Sequence, residues 1–402
     1  MKRKKILVLN PVEDILSQML EEKNYFVDHK PNISSLEATN IIGDYDGIIV
    51  RSYPLKEVKI GNNVKAIGRM GAGTNNIQVA DMTDRGIVVF NAPGGNANAV
   101  AEETICAMIM AARKIPHALC WMHKQDHKNI ESIVEREKKQ FKGTEIRGKR
   151  LAVIGLGAIG SRVANLGMAL GMDVIGTDPY LSVDNALSLD PMIKRTDSIS
   201  LAVADSDYVT IHVPKLDETV NMINDSILQS MKKGAILLNL ARGGLVDRNA
   251  LKTYLGNGTI TAYITDFPHQ SIMGYKNVIA LPHLGASTSE AGLNCATMIG
   301  NQVIDYLENG NIVNSVNFPA YQLSKNNGPR ICIANSNVPK MIAKISTLVG
   351  NYGLNISKMG NRSRGEIAYN IIDVNQPENP AILDSLEKEL KKIEDVKMVR
   401  IF

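Results

Sequence analysis

LAVIGLGAIGSRVANLGMALGMDVIGTD, residues 151–178, is the stretch that decides the fold. It opens with the apolar run Leu151-Ala-Val-Ile154, short enough for a buried strand. Gly155-Leu-Gly157-Ala158-Ile159-Gly160 follows, then an Ala/Leu/Met-rich segment at helical spacing, then a second strand-like run that ends at Asp178. In this order of strand, glycine turn, helix, strand and acid, Gly155 permits the tight turn. Gly157 lets a pyrophosphate approach the backbone, and Gly160 lets helix and strand pack closely. The helix start offers free N–H groups to phosphate oxygens. Asp178 stands 18 residues after Gly160, where a carboxylate can accept from ribose hydroxyls and repel a 2′-phosphate. A lone GxGxxG is also compatible with a glycine turn in an unliganded α/β sheet. The ordered context favours a dinucleotide site that takes NAD rather than NADP.

At 402 residues the chain exceeds one ordinary core, so two or three domains are expected. Lys and Arg number 45 against 41 Asp and Glu, a net charge of +4 spread along the chain. That spread argues against a nucleic-acid footprint, which clusters positive charge. The one basic run, Lys2 to Lys5, reads as a solvated terminus. The apolar run after it is too short for a signal peptide, and no stretch is long enough for a membrane span. The four cysteines, Cys106, Cys120, Cys295 and Cys332, lack metal spacing. They read as reduced thiols of a cytoplasmic protein. His117, His123 and His127 have no ligand pattern around them and read as surface residues, so no metal is expected.

Working outward, the first ninety residues read as an α/β unit with strands at 6–9, 47–50, 64–67 and 87–90. Two loops follow strand ends there: Arg51-Ser52-Tyr53-Pro54, and Gly68 to Asn76, which contains Arg69, Gly71, Ala72 and Gly73. Ligands of open α/β sheets collect outside the carboxyl ends of strands. Glycine-loop N–H groups suit a carboxylate and an arginine fork suits a phosphate or carboxylate, although each arginine can equally be a surface ion pair. The pattern at 98–123 predicts one long helix. Beyond residue 178 the α/β alternation continues, and Arg242, Asp266 and His283 each fall just after a predicted strand, on the edge where the cofactor lies. A carbonyl reduction needs a proton donor beside the hydride acceptor and a cation for the substrate carboxylate. Histidine and arginine supply these two needs. After a polar linker at 321–329, residues 330–402 read as a βαββαβ unit of ferredoxin-like type with no obvious catalytic cluster.

The motifs GLGAIG, LARGGLVD, TDFP and PHLGAST, in this order, resemble the D-isomer-specific 2-hydroxyacid dehydrogenases. VRS at 50–52, GRMGAGTNN at 68–76 and the C-terminal unit resemble the branch that acts on D-3-phosphoglycerate and carries an ACT domain. The resemblance implies an α/β fold with a Rossmann-type NAD-binding domain at 97–286. It also implies a discontinuous, flavodoxin-like substrate lobe at 1–96 and 287–320, and a ferredoxin-like α+β (ACT) regulatory domain at 328–402. It implies NAD-dependent oxidation of 3-phosphoglycerate, the first step of serine synthesis, with His283 as acid/base and Arg242 on the substrate carboxylate. Ala72, Ala158, Ile159, Asp178, Val213, Leu240 and Asp266 are then NAD contacts, with Ala241, Gly285 and Ala286 beside them. Arg51, Ser52 and Arg69 face the substrate phosphate, with Gly71 and Gly73 in the same substrate loop. Another D-2-hydroxyacid dehydrogenase, or a catalytically weak homologue that senses NAD or binds a partner, are the alternatives.

One motif departs from the family. The glutamate that holds the histidine stands two residues after a Phe-Pro-like pair, which selects Gln270, while counting from the arginine selects Ser271. We take Gln270, the nearer landmark, as the group that orients His283. In related ACT units a small amino acid bridges two copies through loop polar groups. The matching residues are Asn335, Asn337 and Asn355, whose amides can pair with the carboxylate and ammonium of L-serine. Lys340 stands where a glycine is usual, and an ACT unit that serves only subunit contact is the other reading. A homo-oligomer, dimer or tetramer, is expected in either case.

Overall fold

The computed structural model describes residues 3–125 and 128–402, so Lys2 and His127 of the sequence reading lie outside the described residues. The chain divides into two compact units, Met1–Gly95 with Gly292–Phe402, and Asn96–Ala291. Among the described residues no helix is long and apolar enough to cross a membrane.

The first unit holds two sheets. Strands β1 (Lys5–Val8), β2 (Phe26–His29), β3 (Gly47–Val50), β4 (Ala66–Arg69) and β5 (Val88–Asn91) form a parallel sheet in the order β2-β1-β3-β4-β5. This is the flavodoxin-like order. Ile6–Val8 and the run GIIV are buried and apolar because a parallel sheet is covered on both faces, while Lys5 stands at the strand start. On one face Ile6, Val8, Ile49 and Phe90 pack against Ala296, Ile299, Val303 and Tyr306 of the helix Ser289–Asn309. Strand β2 escapes the sequence reading because its FVDH pattern sits on an edge and is not buried.

The second unit is built on seven parallel strands: β6 (Arg150–Ile154), β7 (Asp173–Thr177), β8 (Lys194–Arg195), β9 (Tyr208–Ile211), β10 (Ala235–Asn239), β11 (Ile260–Thr265) and β12 (Val278–Ala280). Their order is β8-β7-β6-β9-β10-β11-β12, the doubly wound arrangement expected, with its topological switch between β6 and β9. The predicted helix at 98–123 is two helices, Ala97–Ala112 and Ile115–Met122. Lys114 between them adopts a left-handed φ of +52°, and Pro116 has no N–H to continue the first ladder.

In the first unit again, β13 (Arg330–Ser336), β14 (Ile356–Arg364), β15 (Ile367–Val374) and β16 (Val396–Ile401) form an antiparallel sheet. Its order, β14-β15-β13-β16, with helices Met341–Asn351 and Ala381–Leu390 on one face, is the ferredoxin-like topology. The other face does not stand free. Cys332, Ala334, Tyr369, Ile371 and Met398 enter the same core as Ile6, Val8, Phe90 and Tyr306. Arg330, fully buried, grips Asp373 with Nε and Nη2 at 2.6 and 2.9 Å. Its Nη1 donates to the carbonyls of Asn309 and Leu323. The polar segment at 321–329 is thus tied down at its end rather than left as a free tether.

Candidate active site

Strand β6 ends at Ile154, and Gly155 turns the chain with φ of +91° while its N–H bonds the Thr177 carbonyl at the end of β7. A Cβ on Gly160 would stand 1.8 Å from the Gly155 carbonyl, so only glycine lets the helix Gly160–Ala169 start this close to the strand. Gly157 is the opposite case, since a Cβ there would meet nothing within 4 Å. Among the described residues the N–H groups of Gly157, Ala158 and Ile159 have no hydrogen-bond partner. Three free amides at a helix start beside open space form a cradle for an anion. Asp178, half-buried after β7, accepts from the Leu156 N–H at 2.8 Å and the Tyr180 N–H at 2.8 Å. Each oxygen keeps a further acceptor site for a hydroxyl. These residues fit a dinucleotide with a free 2′-hydroxyl. Val213 flanks the turn, since a Cβ on Gly155 would meet its side chain at 2.8 Å.

Two more loops leave the same sheet edge. After β10, buried Asn239 clamps the turn: its Nδ2 donates to the Arg242 carbonyl at 2.9 Å and its Oδ1 accepts from the Ala241 N–H at 3.3 Å. Leu240 is buried, and the Arg242 side chain is half-buried with Nη1 on the Ala241 carbonyl. Burial lowers the Arg242 pKa from its ordinary value, as it does for any cation short of water. After β12, His283 adopts a left-handed φ of +58° and its exposed ring lies 4.7 Å from that of Phe267, tilted by 53°. Asp266, 1% exposed, holds this loop from the end of β11. Its Oδ1 accepts from the Leu284 N–H at 2.8 Å and its Oδ2 from the Gly285 N–H at 3.0 Å. Ala286 follows in the same loop.

Neither candidate for the missing acid reaches His283 by a hydrogen bond. Gln270 is exposed and its side chain bonds nothing among the described residues. The Ser271 hydroxyl sits 2.9 Å from Nδ1 of His269. Two polar groups escaped the sequence reading, one buried and one half-buried. Asn239 has no motif of its own and shows its role only through the turn it closes. Glu103, on the helix Ala97–Ala112, carries an Oε2 that is buried without a partner. Burial, and secondarily Asp266, push its carboxyl up to about 7.

In the first unit, Asn10 Oδ1 accepts from the N–H groups of Arg51 and Tyr53 at 2.7 and 3.1 Å, and its Nδ2 donates to the Ser52 hydroxyl. The Arg51 guanidinium lies 4.0 Å from Glu13. Arg69 folds back over Gly71, where a Cβ would stand 1.8 Å from its Nη1, and that nitrogen donates to the Met70 carbonyl. Gly71 itself has φ of +136°. Ala72 is exposed and its carbonyl accepts from Asn91, with Gly73 half-buried next to it. In the ferredoxin-like sheet Asn335 is 1% exposed, accepting from Asn370 at 2.7 Å and donating to the Ser336 carbonyl. Asn337 is exposed and donates to the Gly365 carbonyl, and Asn355 is exposed. Lys340 holds the left-handed φ of +71° that a glycine would take without strain.

Residues 105–285 match the family described as D-isomer specific 2-hydroxyacid dehydrogenase, NAD binding domain. Over 330 residues the chain is 36% identical to the D-3-phosphoglycerate dehydrogenase of Archaeoglobus fulgidus, covering 80% of this chain and 60% of that protein. It is 37% identical over 328 residues to that of Synechocystis, covering 78% of this chain and 56% of the other. The chain therefore spans about three fifths of the length of the curated relatives it matches. Among solved structures, the NAD+-bound 3-phosphoglycerate dehydrogenase of Entamoeba histolytica superposes with a TM-score of 0.64 at 26% identity, covering 78% of this chain and 99% of that one.

Proposed function

We propose that the chain is a D-isomer-specific 2-hydroxyacid dehydrogenase that oxidises D-3-phosphoglycerate to 3-phosphohydroxypyruvate with NAD, the first step of serine biosynthesis, a reading supported by the family match over residues 105–285 and by the similarity to D-3-phosphoglycerate dehydrogenases. The observation that carries this reading is one sheet edge that presents a three-amide cradle, Asp178, Arg242 and His283 together. NAD supplies the hydride acceptor when bound. Gly157, Ala158 and Ile159 would donate to its pyrophosphate, and Asp178 would accept from the ribose diol while repelling a 2′-phosphate. Arg242 presents parallel N–H groups to the substrate carboxylate, and its partial burial strengthens that pairing. His283, neutral, takes the proton of the substrate hydroxyl as the C–H bond is broken, and returns a proton in the reverse direction. Arg51, Ser52 and Arg69 are the residues we assign to the substrate phosphate.

Residues 1–96 with 287–320 are, in this reading, the substrate lobe, 97–286 the NAD-binding domain and 328–402 an ACT-like regulatory unit. L-serine is its proposed effector, with exposed Asn337 and Asn355 as contacts. Asn335 is already committed to its neighbours. A homo-oligomer in the cytoplasm completes the proposal. One observation favours a second reading, an unphosphorylated 2-hydroxy acid as substrate: the Glu13 carboxylate stands beside Arg51 and competes with a phosphate for that cation. Initial rates of NADH formation from D-3-phosphoglycerate test the proposed reaction. His283→Ala should lower kcat by about 100-fold or more, the ordinary worth of a general base, and Arg242→Ala should lower kcat/KM comparably. Wild-type turnover that survives His283→Ala overturns the assignment.

A further inference from the structure

A half-buried carboxyl that the mechanism does not use, Glu103, has one oxygen sealed from water next to the loop that the mechanism depends on. A Cβ built on Gly285 would meet Glu103 Oε2 at 3.0 Å and Asp266 Oδ2 at 3.3 Å, so the two carboxyls flank this one residue. Asp266 spends both oxygens on the Leu284 and Gly285 amides, directly after His283. Glu103 Oε2 receives no donor among the described residues. A carboxylate buried without donors is costly, and a second carboxylate nearby raises the cost.

We propose that Glu103 is a positioning residue for the His283 loop. As a neutral acid it leaves Asp266 free to hold both loop amides. Its ionisation sets a second negative charge against Asp266 across Gly285 and loosens that hold. The groups around it are few. The helix carrying Glu103 packs on the helix Gly160–Ala169, on the helix Ile115–Met122, whose His117 bonds the Lys276 carbonyl, and on strands β10 and β11. Arg162 of that neighbouring helix bonds the Ala158 carbonyl at an exposed position, and Arg242 beyond β10 bonds the Ala241 carbonyl. The His283 ring is occupied with Phe267. Asp266 is the one charge that acts on Glu103 among the described residues. The arrangement explains why a carboxyl that bonds nothing sits at the back of a proton-transfer loop. Its protonation state is read out at the residue that moves the proton.

This inference rests on the assignment of His283 as the proton-transfer group, and its test is independent of turnover. In the protein without substrate or cofactor, the Leu284 and Gly285 amide resonances are followed by nuclear magnetic resonance from pH 5.5 to 8.5. In His283→Asn, which removes the neighbouring imidazole and keeps a residue that tolerates the left-handed φ, both are expected to move through one transition near neutral pH, and that transition should vanish when Glu103→Gln is added. A transition that persists after Glu103→Gln is added belongs to another group and overturns the proposal, as does its absence from His283→Asn. Carbon-13 labelling of glutamate side chains in wild type needs no variant. A Glu103 carboxyl that titrates with the bulk of the glutamates, below about 5, overturns the proposal equally. A protein whose His283→Asn form shows the transition, yet whose wild type turns over no 2-hydroxy acid, keeps this inference and loses the proposed reaction.

Discussion

At the scale of single residues, the site depends on which polar groups are committed and which are free. Gln270, chosen by sequence landmarks as the orienter of His283, is exposed and bonds nothing among the described residues. Gln270→Ala is therefore expected to change kcat by less than about twofold, as for a surface position without partners. A tenfold loss would show that the amide closes on His283 during turnover. Glu103 gives a pH prediction whose sign follows from linkage. Its carboxyl is raised to about 7 in the folded protein, against about 4.3 in an unfolded chain. The folded state thus keeps a proton that the unfolded state has lost. The stabilising contribution is full below the unfolded value and is lost as pH rises through 7. The urea midpoint of Glu103→Gln minus that of wild type should accordingly grow from pH 5 to pH 8. A constant difference would place Glu103 in contact with water. The sequence could place Arg242, Asp266 and His283 just beyond strand ends because the α/β run is strongly patterned. It could not reveal Glu103 or Asn239, because their roles lie in what a buried oxygen does or does not meet.

At the scale of elements, the turn from β6 into the helix Gly160–Ala169 separates glycines needed for packing from those needed for binding. Gly160→Ala forces a methyl against the Gly155 carbonyl. It should cost about 1–3 kcal/mol of stability by overpacking. Gly157→Ala meets nothing in the protein and should leave the melting temperature in place. It narrows the cradle, so NAD affinity should fall by about tenfold or more, the worth of one charge-assisted bond. Calorimetric titration and thermal melts together check the pair, and equal effects on both readouts would refute the division. The same motif was legible because strand, turn, helix and acid are all local. The break at Lys114 was not, since a left-handed lysine leaves the apolar periodicity on either side nearly continuous. Strand β2 was hidden for a related reason: an exposed edge strand carries no buried run for the pattern to show.

At the scale of the whole molecule, the sequence foretold three architectures and their order, but not how the last is attached. Residues 321–329 look like a tether because they are polar, whereas Arg330, its partner Asp373 and the shared core fasten the ferredoxin-like sheet within the first unit. Arg400 adds bonds to the carbonyls of Lys65 and Gly86, and Arg364 to those of Ser315 and Val316. Asp373→Ala leaves a buried guanidinium without its counter-charge and should cost about 3–5 kcal/mol in urea unfolding. A loss below about 1 kcal/mol, typical of exposed pairs, would mean that the sheet is not held there. The central claim concerns the substrate, and one comparison tests it most directly: kcat/KM with NAD for D-3-phosphoglycerate beside D-glycerate, which differ only in the phosphate. If Arg51, Ser52 and Arg69 receive that phosphate, the phosphorylated acid should be favoured by about tenfold or more, the worth of a charge-assisted contact. Equal or higher efficiency with D-glycerate would contradict the account and hand Arg51 to Glu13.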